Sequence, residues 1–244
     1  MTGMGSIIRR ELYGYFATPV AYVFIAIFLI LSGIFTFYLG HLFERGQADL
    51  LAFFNYLPWL YLVLVPALAM RLWAEERRSG TIELLLTLPI SLWTAVLGKF
   101  IAAWLFVGLA LLLTFPLWAT VSYLGQPDHG VIVATYLGGW FMAGGFMAIG
   151  SCLSAVTRNQ VVAFILTLVV SFVFVVSGFP MIQDAFTGWA PLWLLDGLSA
   201  LSFLTHFDAI SRGVIDLRDF LYFLLTIVVW LWATVIVLNL RKAG

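Results

Sequence analysis

The chain has 244 residues, 63% of them hydrophobic and only 10% charged, with 12 basic residues against 12 acidic ones. Soluble domains carry about 25% charged residues, so this chain has too little polar surface to face water, and lipid must be its solvent over most of its length. A single cysteine, Cys152, excludes an internal disulfide and any multi-cysteine metal site.

Residues 5–18 place Ile7, Ile8, Leu12, Tyr15 and Phe16 largely on one helical face, with Arg9, Arg10 and Glu11 among them. That pattern fits a helix lying in the membrane interface, and equally a positively charged topogenic flank. No signal-peptide layout precedes the first apolar run, which is therefore expected to be a retained helix opened by Pro19. Charge-free apolar runs then predict six transmembrane spans at about 20–40, 52–72, 100–122, 132–154, 161–182 and 220–240. Each is near the ~20 residues needed to cross ~30 Å of hydrocarbon. Alternating strands of the kind a barrel needs are not visible, so the expected class is an all-α polytopic membrane protein forming one domain over residues 1–244.

Orientation follows from Lys and Arg. The side bearing both termini holds Arg9, Arg10, Arg71, Arg77, Arg78, Lys99, Arg158, Arg241 and Lys242, nine cations against four acids, for a net +5. The opposite side holds three cations and eight acids, a net −5. The positive-inside bias makes the termini cytoplasmic, and only an even number of crossings gives this split.

On the outside, 183–219 is too long for a tight connection and too apolar for a solvated one. It reads as two short helices, about 191–203 and 206–212, the second closed by Gly213, forming a re-entrant or interfacial lid before the sixth span. Trp189, Trp193 and Phe203 suit the headgroup level. Asp216 and Asp219 sit where an N-cap and a first helical turn favour acids.

Several chemistries lack their residues. No ionisable residue falls inside the six predicted spans, which disfavours an ion-coupled carrier, because such carriers hold intramembrane carboxylates. The polar residues at membrane depth, among them Ser32, Thr36, Ser151, Thr167, Thr226 and Thr234, are expected to bond between helices or back to a carbonyl one turn earlier. No HExxH, GxSxG or GxxxxGK[ST] pattern occurs, so neither hydrolase chemistry nor a P-loop is encoded. The histidines His41, His129 and His206 lie in outside loops, and pairs such as His206 with Asp208 are weak candidates for a metal site. Gly144, Ala148 and Cys152 recur at i, i+4 and predict a smooth face for a neighbouring helix.

The segment between the second and third predicted spans, 75–99, is unlike an ordinary connector. Glu75, Glu76, Arg77 and Arg78 place consecutive charges just past the membrane, and Ser79 or Thr81 can cap a new helix with Glu83 in its first turn. Ile82, Leu85 and Leu86 share one face, and Pro89 stops the helix. A short amphipathic helix of this kind suits a groove on a soluble partner, or rests on the membrane; the residues alone leave both open.

The run MRLWAEERRSGTIELLLTLPIS, with RRELYGYFATPVAYVF at 9–24 and SFLTHFDAISRGVIDLRDFLYF at 202–223, resembles the ABC-2-type transporter permeases. The likeness is greatest to the branch containing the permeases GldF and NosY. It implies a bacterial cytoplasmic (inner) membrane subunit paired with a second permease copy or homologous permease and with two copies of a cytoplasmic P-loop ATPase. ATP and Mg would be bound by that ATPase and no cofactor by this chain; no nucleic-acid partner is implied. It also implies that 75–89 holds a coupling helix with the N-terminal helix nearby, and that 180–218, including Pro180, His206 and Asp208, forms an exit lid. The function expected on that likeness is export of an amphipathic or lipid-linked substrate. The alternative is mechanical drive of an accessory subunit with a periplasmic domain, with nothing crossing.

Overall fold

In hydrocarbon every backbone N–H and C=O must be satisfied within its own segment, which makes helices of the apolar runs. The computed structural model describes residues 2–81, 91–179, 199–214 and 216–240, with Met181, Asp184, Pro191 and Gly197. All regular structure among the described residues is helical, with no strand. The first half comprises α1 (Thr2–Phe16), α2 (Pro19–Gly33, continued as a π-helix over Ile34–Leu39), α3 (Leu51–Phe54), α4 (Leu57–Ala69), α5 (Arg71–Ser79) and α6 (Leu92–Leu112). It is followed by α7 (Phe115–Leu124), α8 (His129–Val156), α9 (Gln160–Val176), α10 (Phe203–Ser211) and α11 (Leu217–Leu240).

Local chemistry sets the helix starts. Pro19 opens α2, where a missing N–H costs nothing. Side chains of Ser91, Asp128, Asn159 and Ser202 accept hydrogen bonds from first-turn amides of α6, α8, α9 and α10. Two glycines end helices in the left-handed region, Gly80 (φ 74°) after α5 and Gly213 (φ 83°) after α10.

Five stretches are long and apolar enough to cross a membrane: Pro19–Leu39, Leu57–Ser79, Leu92–Leu124, His129–Val156 and Leu217–Leu240. Six were expected. The remaining one, predicted over 161–182, is the 17-residue α9, which at 1.5 Å per residue reaches roughly 26 Å. Just past its end, the backbone of Gly178 lies against the start of α10: a Cβ there would sit 2.3 Å from Ser202 Oγ. Two other spans are broken. α4 gives way to α5 at Met70, one turn after Pro66, and α6 to α7 at Leu113–Thr114, just before Pro116.

The core is built around α8, which packs on α4, α5, α6, α9, α10 and α11. Its small residues permit close approach: Ile227 of α11 lies at Gly144, Phe203 of α10 at Gly145, and Ala69 of α4 at Gly150. The expected smooth face is thus filled by α11, and Cys152 is buried there. Back-bonding hydroxyls occur as expected, Thr36 to the Ser32 carbonyl (2.6 Å), Thr167 to Ala163 (2.7 Å) and Thr234 to Trp230 (2.8 Å). The N-terminal helix exists but is longer than the predicted 5–18 at its start, and it packs along α6, with Ile7 seated against Gly98.

Candidate coupling site

The four consecutive charges lie on the last turns of α5 and not at the start of a new helix. Gly80 follows them, and Thr81 beyond it is helical. The Ser79 hydroxyl donates back to the carbonyl of Glu75 (2.9 Å) and meets the hydroxyl of Thr81 (2.9 Å). Ile82, Glu83, Leu85, Leu86 and Pro89 lie outside the described residues, as do Pro180, Trp189 and Trp193 of the expected lid.

At the break between α4 and α5, the hydroxyl of Ser154 on α8 takes the place of helix bonds. It accepts from the amides of Trp73 (3.1 Å) and Ala74 (3.0 Å) and donates to the Met70 carbonyl (2.9 Å). A side chain inserted into the backbone ladder in this way marks a bend. Trp73, fully buried, donates its indole N–H to Ser151 Oγ at 3.0 Å, and Arg77 donates to the Ala155 carbonyl. So α5 is fastened to the end of α8 by side chains from two successive turns.

The second fastening is ionic. Lys99, in the second turn of α6, has a side chain only 5% exposed. Its ammonium lies 2.7 Å from Glu76 of α5 and 3.4 Å from Glu11 of α1, and 5.4 Å from the Trp73 ring centre. Glu11 also receives Arg10 at 2.8 Å. Glu76 Oε2 is buried without a hydrogen-bond partner among the described residues. An ion taken out of water costs several kcal/mol unless paired, and here one cation is shared by carboxylates from two other helices. The junction holds α1, α5 and α6 together at one end of the bundle.

A helix long enough to span thus carries a buried charge near its start. Reading boundaries from charge placed the third span after Lys99, whereas Ser91 starts the helix earlier and the carboxylates neutralise the lysine inside it. The other flagged charges are peripheral. Arg9 stacks over Tyr13 (5.4 Å), Glu75 pairs with Arg71 (3.0 Å), and Arg78 is exposed. Lys99, Trp73, Ser151 and Ser154 carry the geometry without having been singled out as site residues. Lys99 was visible as the end of the charged segment, and Ser151 only as a small polar residue on a packing face.

Toward the other end of α8, the described part of the expected lid is α10, with Ser199 and Ala200 helical before it. α10 begins at Phe203, earlier than the expected 206. Phe203 is fully buried, 4.9 Å from the Phe146 ring and 5.6 Å from Phe223. His206 pairs with Asp219 of α11 at 2.6 Å. Burial pushes the Asp208 carboxyl up from its usual range, with Arg212 acting in the opposite direction.

A family model described as "ABC-2 family transporter protein" matches residues 59–241, well over half of the chain. No curated protein matches it.

Proposed function

Because this chain belongs to the ABC-2 family of transporter proteins, we propose that it is the permease subunit of an ATP-driven exporter, and that the Glu11–Lys99–Glu76 junction is where ATPase movement enters it. Permeases of this family are multi-pass membrane components without a nucleotide-binding site of their own, and they generally work with a cytoplasmic ATPase and as dimers. The finer reading adds six spans with both termini in the cytoplasm, α1 in the membrane interface, two ATPase copies and a second permease, and 75–89 as the docking segment. Closure of the ATPases pushes on α5. The push reaches α8 through Trp73 and Arg77, and reaches α1 and α6 through Lys99.

The observation that carries this is the buried lysine bridging three helices beside the most charged helix end of the chain. The test is ATP hydrolysis in proteoliposomes holding this permease and its cognate ATPase. Arg78→Glu, at an exposed position, is expected to lower permease-stimulated hydrolysis with unchanged permease stability. Glu76→Lys and Arg77→Glu are expected to lower both. Unchanged stimulation in all three variants would remove the site from the coupling path. Helix movement during hydrolysis with no substrate passing would replace export by force transmission to a partner on the far side.

A further inference from the structure

A cleft of about 460 Å³ opens between the second half of α6, α7 and α8. That volume falls within the range of built small-molecule sites, about 300–1,000 Å³. Paired aromatic rings hold both of its ends. At one end Trp104 and Trp140 stack at 4.3 Å and exchange hydrogen bonds: the Trp104 indole N–H donates to the Trp140 carbonyl (2.8 Å), and the Trp140 N–H to the Trp104 carbonyl (3.2 Å). Each indole rests on a glycine of the facing helix, Trp140 on Gly108 and Trp104 on Gly144. At the other end the bend before Pro116 carries α7 toward the start of α8. There Trp118 lies 6.1 Å from the Tyr136 ring and donates to His129 Nδ1 at 3.1 Å. The Tyr136 hydroxyl meets Thr114 Oγ1 at 2.9 Å. The polar side chains of the lining, Trp118, Tyr136 and Trp140, thus all have partners within the protein. The walls are aliphatic and exposed, with Leu105, Leu109 and Leu112 on α6 facing Val133 and Leu137 on α8.

We propose that this cleft seats one acyl chain of a bilayer phospholipid as a fixed part of the structure. Its chemistry selects that occupant. A cargo recognised by polar contacts finds no free donor or acceptor here, and a water molecule would lack partners. Left without neighbouring atoms, the apolar walls forfeit dispersion contacts, which a lipid tail restores along their whole length. Position agrees. From Leu105 to Trp118 is roughly 20 Å of helix at 1.5 Å per residue, comparable with one leaflet of a ~30 Å hydrocarbon core. The end at Trp118 and His129 then lies toward the headgroups, where amphipathic rings settle, and the Trp104–Trp140 stack lies deeper. Because the hydrogen-bonded rings fix both ends beforehand, seating the chain orders little of the protein. The inference rests on the chain spanning a membrane and not on where the ATPase docks, so its failure would leave that reading standing.

The experiment uses the full chain in nanodiscs of phosphatidylethanolamine and phosphatidylglycerol, doped with phosphatidylethanolamine that carries a diazirine in one acyl chain. After irradiation, mass spectrometry locates the modified residues. Labelling within 105–112 and 133–140 is expected to exceed several-fold that on α11, where Leu225, Val229 and Trp232 are also exposed. Leu137→Trp, which fills the cleft from its wall, should lower labelling at 105–112 several-fold and leave α11 unchanged. Should that variant not fold, Leu109→Trp fills the cleft from the other side, with labelling read at 133–140. Equal labelling of the cleft and α11, the mark of an ordinary lipid shell, overturns the proposal. So does weaker labelling of the cleft, the mark of a second copy or partner subunit covering it, and so does cleft labelling that survives the filling substitution.

Discussion

Lys99 is the residue on which most of the inner end of the molecule depends. Removing its charge leaves Glu76 and Glu11 facing each other in a poorly solvated place, and breaking a buried pair from one side costs about 3–5 kcal/mol. Lys99→Met is therefore expected to lower the unfolding midpoint in detergent steeply. Combining it with Glu76→Gln should recover much of the loss, because the uncompensated charge is then gone; additive losses in a double-mutant cycle would count against a shared ion site. Ser154→Ala acts through a different mechanism. It strips the hydroxyl acceptor from the amides of Trp73 and Ala74 at the bend. The expected penalty is about 1–3 kcal/mol, read by the same thermal assay. These two sites differ in how far the sequence reveals them. Glu11 and Glu76 stand out by charge, but nothing local connects them to Lys99, because the pairing is made by three helices meeting in space. His206 and Asp208 look adjacent in the chain, yet residues two apart on a helix point in different directions. The turn at Gly213 brings Asp219 to the imidazole instead.

At the scale of helices, the contact between α4 and α8 is set by Gly150. A Cβ at that position would lie 2.3 Å from the Cβ of Ala69, a distance the two helices can relieve only by moving apart. Gly150→Ala is expected to cost on the order of 1–3 kcal/mol. Ala69→Gly should restore most of it in the double variant, with the thermal midpoint as the measure. A Gly150→Ala protein as stable as the parent would show that the helices are not held so closely. Helix existence was legible in the sequence because hydrocarbon demands long apolar runs. Breaks within them were less so. Pro66 and Pro116 mark where a helix is weakened, but whether a hydroxyl from elsewhere fills the gap depends on a residue 84 positions away, as with Met70 and Ser154.

For the whole molecule, α8 packs on six other helices: α5 is fastened to one end of it through Trp73 and Arg77, and α10 lies on its glycines nearer the other. That same helix has a consequence for how the protein is made. Of the candidate spans, α8 is the most enclosed by protein, and it and Leu57–Ser79 are the least apolar. The flanking spans Pro19–Leu39 and Leu217–Leu240 are far more exposed and more apolar. Insertion from the translocation machinery is governed by apolarity residue by residue. The outer spans should partition into lipid unaided, whereas α8, its glycines contributing little to transfer, should enter poorly when presented alone. Glycosylation mapping of single segments in microsomes is expected to show lower insertion for 129–156 than for 217–240, and improvement when the preceding spans are present. The helix that organises the finished bundle is then among those the membrane holds least firmly, and its place is secured only once its neighbours have arrived.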